Sequence, residues 1–131
     1  MNSRSLAARI GAVLYVLWGL FHLFAAASVY RLSESASGMV QGRLQQDAFY
    51  LLFFAISGVV IAVTLNWRND RLGFWMNGIL ILVADIPFVL FVLVPGLMPW
   101  WPGLLGPLLW IAALLLTSVG RFGFPPSEAK A

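Results

Sequence analysis

The chain has 131 residues, of which 61% are hydrophobic and only 10% are charged. A soluble domain carries about 25% charged residues, so this chain has too few to cover a water-facing surface, and its composition predicts an integral membrane protein. The formal net charge of +3 is small and spread over the connections, which provides no basic surface for nucleic acid. The lack of cysteine excludes disulfides, thiolate metal sites and cysteine nucleophiles.

Four apolar segments predict transmembrane helices. Each has close to the roughly 20 residues that a helix needs to cross the hydrocarbon core. Helices are the required form, because lipid offers the backbone no hydrogen-bonding partner. We predict a single transmembrane domain over residues 1–131, with spans at about 10–30, 48–65, 72–94 and 100–119.

The connections between the spans carry their own signals. Residues 31–47 form the only long connection, which leaves room for a short surface helix, and Asp47 is placed to cap the second span by accepting hydrogen bonds from free amides. Residues 66–71, NWRNDR, predict a tight polar turn. Residues 95–103, PGLMPWWPG, are rich in helix breakers and separate the last two spans, and Pro125–Pro126 stops any helix in the tail.

The basic residues predict how the chain is oriented. With the N-terminus inside, the opposite side holds only Arg31 and Arg43, which are accompanied by Glu34 and Asp47. The cytoplasmic side then holds Arg4, Arg9, Arg68, Arg71, Arg121 and Lys130. This distribution agrees with the positive-inside rule. We therefore predict an all-α integral membrane protein, an antiparallel four-helix bundle of transmembrane helices with cytoplasmic N- and C-termini, in a cell membrane of the bacterial inner-membrane type.

One alternative concerns the first span. Arg4 and Arg9, followed by an apolar stretch and by AAAS at residues 25–28, are also typical of a secretory signal peptide with a small-residue cleavage site. The apolar stretch is long for a signal peptide, and it contains Trp18 and His22. We favour an uncleaved first transmembrane helix.

The only histidine and the only carboxylate within the spans lie at nearly the same predicted depth. Counted from the cytoplasmic ends at about 1.5 Å per residue, His22 lies roughly 18 Å deep and Asp85 roughly 20 Å deep. A charge at a helix centre costs about 2.5–3.5 kcal/mol by insertion scales, so such residues face the protein interior and pair. We predict that Asp85 is buried and paired with His22, directly or through water. Pro87 predicts a bend and a free backbone acceptor beside Asp85.

Further side chains complete a predicted binding pocket around this pair. Tyr15, Trp18 and His22 share one face of the first helix at spacings i, i+3 and i+7. The predicted ligand-binding residues are His22, Asp85, Tyr15, Trp18, Ser57, Asn77 and Trp110. Simpler roles compete with this one, because aromatic residues also pack or anchor helices, Ser57 beside a glycine suits a close helix contact, and Asn77 suits an interhelical hydrogen bond. His22 and Asp85 could likewise form a purely structural pair.

The available side chains restrict the chemistry. A zinc or di-iron centre needs three or four ligands, whereas His22 and Asp85 supply two, and bis-histidine haem ligation would need a second chain. Ser57 has no oxyanion-hole motif or nucleophile elbow beside it, so a serine hydrolase is not predicted. No metal and no cofactor are predicted. No catalytic residue is assigned, although His22 and Asp85 are candidates for acid–base chemistry.

The leading hypothesis is a multi-pass membrane protein that binds or transports a small, largely apolar or weakly basic molecule, with a protonatable His22–Asp85 centre. The first alternative is a membrane-embedded enzyme, such as an isomerase or cyclase, that uses the pair for acid–base chemistry on a lipophilic substrate. The second alternative is an accessory subunit of a larger membrane complex. The expected partners are the lipid bilayer, a small lipophilic molecule and a second copy in a homodimer, and no nucleic acid.

Overall fold

The structure is a computed structural model that describes residues 3–123. Within that range the chain is helical and contains no strand. Four helices are long and apolar enough to cross a membrane, which supports the predicted transmembrane protein. The helices are α1 (Ser3–Ser33), α2 (Gly38–Thr64), α3 (Arg71–Phe88), the short α4 (Trp100–Gly103) and α5 (Leu105–Phe122). Lys130 and Pro125–Pro126, which entered the predictions above, lie outside the described residues.

The first connection is much shorter than predicted. Helix α1 continues to Ser33 and α2 already begins at Gly38, so the predicted surface helix is part of α2. The prediction that Asp47 caps the second helix is wrong, because Asp47 lies well inside α2. Most of the polar residues of 31–47 lie within the two helices and do not end them. They show instead where the apolar part of each helix ends, since arginine and glutamine are good helix formers.

The predicted polar turn between the second and third spans is confirmed. A 3₁₀-helix at Asn66–Arg68 ends at Asn69, which adopts the left-handed conformation with φ 56°. Asp70 then caps α3, since its carboxylate accepts hydrogen bonds from the amides of Leu72 at 2.8 Å and Gly73 at 3.3 Å. We call this end of the molecule the turn end and the opposite end the loop end.

The irregularity expected at Pro87 lies one turn further along than predicted. Helix α3 continues through Pro87 to Phe88, and a π-helix follows at Val89–Leu93. Its wider hydrogen-bond pattern includes the 2.9 Å bond from the amide of Val94 to the carbonyl of Val89. A single π-helical turn of this kind often lies close to a functional site. The fourth span is likewise divided, because the short α4 precedes the main helix α5.

Helix α1 packs against α2 and α5, and α3 packs against the same two helices. The contacts of α1 require small residues. A Cβ at Gly19 would lie 2.4 Å from Cγ2 of Val59 and 3.0 Å from the carbonyl oxygen of Ala55, so the backbones of α1 and α2 approach closely there. Close approach at small residues is the usual way in which transmembrane helices associate. Helices α1 and α3 are not close neighbours, and side chains bridge the space between them.

Candidate functional site

Asp85 is buried in the interior and reaches two side chains of α1. It is 1% exposed, on α3. The indole nitrogen Nε1 of Trp18 donates a hydrogen bond to its Oδ2 at 3.0 Å. Nε2 of His22 lies 3.3 Å from its Oδ1. That separation is within ion-pair range but long for a hydrogen bond, and Oδ1 has no hydrogen-bond partner among residues 3–123.

Trp18 and His22 reach the same carboxylate because they are four residues apart on α1, a spacing that places side chains one above the other on one face. Their rings stack with centroids 3.8 Å apart and planes inclined by 25°. Together with Asp85 they bridge α1 and α3, whose backbones are not close neighbours. The structure thus brings together three of the predicted site residues.

The second ring nitrogen of His22 determines which tautomer the pair contains. Nδ1 lies 2.9 Å from the backbone carbonyl oxygen of Trp18. A carbonyl can only accept a hydrogen bond, so Nδ1 carries the proton in this contact. A neutral His22 therefore presents the bare lone pair of Nε2 to Oδ1 of Asp85.

This tautomer leaves one position for a proton between Nε2 of His22 and Oδ1 of Asp85. With the proton on Oδ1, a neutral acid donates to Nε2, and with the proton on Nε2, an imidazolium faces a carboxylate. The indole of Trp18 donates to Oδ2, the other oxygen of the carboxylate.

A cavity of about 340 Å³ extends from His22 toward the loop end. His22 lies in its lining, whereas Asp85 does not, so the imidazole stands between the carboxylate and the cavity. The four long helices all contribute to the wall. The lining includes Phe21, His22, Phe24, Ala25 and Ser28 of α1, Asp47 and Leu51 of α2, Ala84 and Phe88 of α3, and Gly106 and Pro107 of α5.

Gly106 allows α5 to pack closely against the ring of His22 at the wall of the cavity. A Cβ at this position would lie 2.9 Å from Cε1 of His22 and 3.5 Å from its Nε2. Any larger residue would therefore displace the imidazole or move α5. Phe21 contacts the same ring edge-on, with centroids 5.6 Å apart. The His22 ring is held on several sides.

The remaining predicted site residues do not line this cavity. Asn77 is buried closer to the turn end, where its Nδ2 donates to the carbonyl of Gly58 at 3.1 Å and to Oδ1 of Asn66 at 2.7 Å. These are the contacts of an interhelical hydrogen bond, the simpler role considered for it. Tyr15 is fully buried and Ser57 half-buried. The hydroxyl of Tyr15 and Nε1 of Trp110 are buried with no hydrogen-bond partner among residues 3–123. A ligand-binding role for these four residues stays a prediction.

Asp47, Gly106 and Phe88 line the cavity but were missed as site residues. Asp47 was taken for a helix cap, since its position after a polar stretch is typical of one. Gly106 and Phe88 resemble many other apolar residues of the spans, and only the packing of the helices shows which of them face the cavity. Trp18 was predicted, but its role as a donor to Asp85 has no signal in the sequence beyond its spacing from His22.

The site offers little for a metal ion. Among residues 3–123 no group of three or more histidine, aspartate or glutamate side chains could hold one. Both nitrogens of His22 already face oxygen atoms, Nδ1 that of Trp18 and Nε2 that of Asp85. Coordination of haem or of a metal by Nε2 would have to break the contact with Asp85.

Comparison of the chain with protein-family models, with curated proteins and with solved structures gives no match. The function therefore has to be inferred from the site itself. The features that bear on it are the buried contact between His22 and Asp85 and a cavity that ends at His22.

Proposed function

We propose that the chain is a multi-pass protein of a cell membrane that binds or transports a small, largely apolar or weakly basic molecule. The observation that carries the proposal is the cavity that ends at His22, whose Nε2 lies 3.3 Å from Oδ1 of Asp85. In this proposal the two side chains share one proton, and we call them the one-proton centre. A volume of about 340 Å³ is near the lower end of the roughly 300–1,000 Å³ found for small-molecule sites. The lining is mostly apolar with a few polar side chains, which is also typical of such sites.

In this proposal the four helices form an antiparallel bundle whose turn end faces the cytoplasm. Contacts between distant parts of the chain support a common turn end. Nδ2 of Asn69 donates to the carbonyl of Gly120 at 2.8 Å, and the guanidinium of Arg9 lies 5.3 Å from the ring of Trp67. Arg68, Arg71 and Arg121 belong to the same end, so the positive-inside rule makes it cytoplasmic. The cavity then lies toward the opposite side of the membrane.

Cysteine labelling tests this orientation. The chain contains no cysteine, so a single cysteine introduced at Arg68 or at Ser37 is the one labelling site of each variant. Both side chains are exposed, one at the turn end and one between α1 and α2. We expect a membrane-impermeant maleimide added to intact cells to label Ser37→Cys, and to label Arg68→Cys only after the membrane is opened. Labelling of both positions in intact cells would contradict the proposed topology.

Native mass spectrometry of the detergent-solubilised protein tests the cavity as a binding site. Ala25 lines the cavity, whereas Ala27 lies two residues further on α1 and does not. Ala25→Leu should reduce the cavity, and Ala27→Leu is its matched control with the same change in size. We expect a co-purified small molecule on the wild type and on Ala27→Leu, and its loss from Ala25→Leu. Equal retention by all three proteins would place the molecule elsewhere.

A membrane-embedded enzyme is the second candidate, and the contact between His22 and the cavity favours it too. A histidine that can give and take one proton at the end of a cavity could serve as acid or base toward a lipophilic substrate. The two functions differ in what they need. An enzyme would convert its substrate in detergent, whereas transport requires a sealed compartment.

A further inference from the structure

We infer that the cavity selects an organic ammonium ion, with the carboxylate of Asp47 as the group that recognises its charge. The inference rests on the proposed binding function and names the ligand class for the same cavity. Among the residues that line the cavity, only Asp47 and His22 are ionisable. No lysine or arginine is among them, and the charge of a protonated His22 would be matched by Asp85, so the carboxylate of Asp47 favours a cation over a neutral or anionic molecule.

The carboxylate of Asp47 is available for a ligand to contact. It makes no hydrogen bond or ion pair with any other residue between 3 and 123. Arg43 lies one turn earlier on α2, but its Nη1 donates to Oε1 of Gln46 at 2.9 Å. Asp47 lies about 26 Å along α2 from Thr64, which places it closer to the membrane surface than His22. The carboxylate therefore occupies the outer part of the cavity and is free to meet an incoming cation.

The aromatic residues of the wall fit the same ligand. Phe21, Phe24 and Phe88 line the cavity from two helices. The faces of aromatic rings attract cations, and groups of such rings recognise quaternary ammonium ions in particular. A carboxylate with three phenylalanines thus matches a molecule with a positively charged head and an apolar body, small enough for the cavity.

A matched pair of probes separates charge from shape. Benzyltrimethylammonium carries a permanent positive charge, and 2,2-dimethylpropylbenzene is its neutral carbon analogue of nearly the same shape. Binding of each radiolabelled probe to the full-length protein in non-ionic detergent is measured by equilibrium dialysis, with protein-free micelles as the blank. We expect the wild type to prefer the cation by about tenfold or more, because the carboxylate of Asp47 attracts the charged probe and not its neutral analogue.

Variants of Asp47 test whether its carboxylate causes the preference for the charged probe. Asp47→Asn should remove most of it, and Asp47→Glu should keep it. Glu34→Gln is the matched control, because it removes the same charge from an exposed residue at the same end of the molecule outside the cavity lining. A wild type that binds both probes equally, or fails to bind the cation, would overturn the inference, as would an unchanged preference in Asp47→Asn. If the wild type co-purifies with a neutral molecule that is lost from Ala25→Leu, the proposed binding function holds and the inferred selection of an ammonium ion does not.

Discussion

Replacing either His22 or Asp85 with leucine should lower the melting temperature of the purified protein, and replacing both should lower it by less than the sum of the single losses. Each single change leaves a buried polar group without its partner, at a cost of about 1–3 kcal/mol. Asp85→Leu leaves the lone pair of Nε2 and the indole N–H of Trp18 unpaired. His22→Leu leaves Asp85 with one donor in place of two contacts. The double change removes both members of the pair at once.

The hydrogen bond from Trp18 to Asp85 predicts how the melting temperature responds when Trp18→Phe is added to these variants. In the protein with leucine at both positions, the indole N–H of Trp18 still lacks its acceptor. Adding Trp18→Phe should therefore cost less than the same change in the wild type, where it breaks the bond to Asp85. Melting temperatures of all variants in one detergent provide the coupling energies.

Asn77 offers the control for this cycle. It is a buried polar residue of α3 like Asp85, but its hydrogen bonds go to Gly58 and Asn66 and not to His22. The losses from His22→Leu and Asn77→Leu should add. Additive losses for His22→Leu and Asp85→Leu would show that these two residues do not interact. Coupling without any change in ligand binding would favour a structural pair that orients α1 and α3.

Asp85→Asn should abolish movement of ligand driven by a pH gradient while leaving binding measurable. The amide has nearly the shape of the carboxylic acid and can still contact Trp18 and His22, but it cannot exchange a proton. Uptake of benzyltrimethylammonium into liposomes, driven by an imposed pH gradient, is the measurement. We expect uptake by Asp85→Asn to fall to the level of protein-free liposomes, while binding in detergent persists.

The outcome also separates the two candidate functions. Gradient-driven uptake by Asp85→Asn at the rate of the wild type would exclude proton coupling through this pair. Chemical conversion of a ligand by the solubilised wild type, with no gradient and no sealed compartment, would favour the enzyme. Glu34→Gln is the control for uptake, because it changes charge at an exposed position far along the chain from His22 and Asp85.

The apolar helices and the proximity of His22 and Asp85 could be predicted because both depend on position along the chain. Apolar length determines where a helix can cross lipid, and counting residues places His22 and Asp85 at one level. The helix ends could not be predicted in the same way. Polar residues such as Arg43 and Gln46 continue helix α2, because arginine and glutamine are good helix formers, so a polar stretch alone does not mark the end of a helix.

The cavity could not be predicted because it depends on which faces of the helices meet. Tyr15 and His22 lie on the same face of α1, yet only His22 reaches the cavity. Gly106 becomes important only because α5 brings it against the imidazole. The position of Asp47 in the cavity wall could not be predicted for a related reason, since its neighbours along the chain resemble a helix start and only the packing of the helices places it in the same lining as three phenylalanines.

Nitrogen-15 NMR of the single histidine, in the full-length protein reconstituted in lipid, tests the one-proton centre most directly. The imidazole signals report which ring nitrogen carries a proton. We predict a protonated Nδ1 in every state, and an Nε2 signal that shifts both in Asp85→Asn and when a ligand occupies the cavity. A neutral imidazole with its proton on Nε2 and a bare Nδ1, unchanged by Asp85→Asn and by ligand, would contradict it.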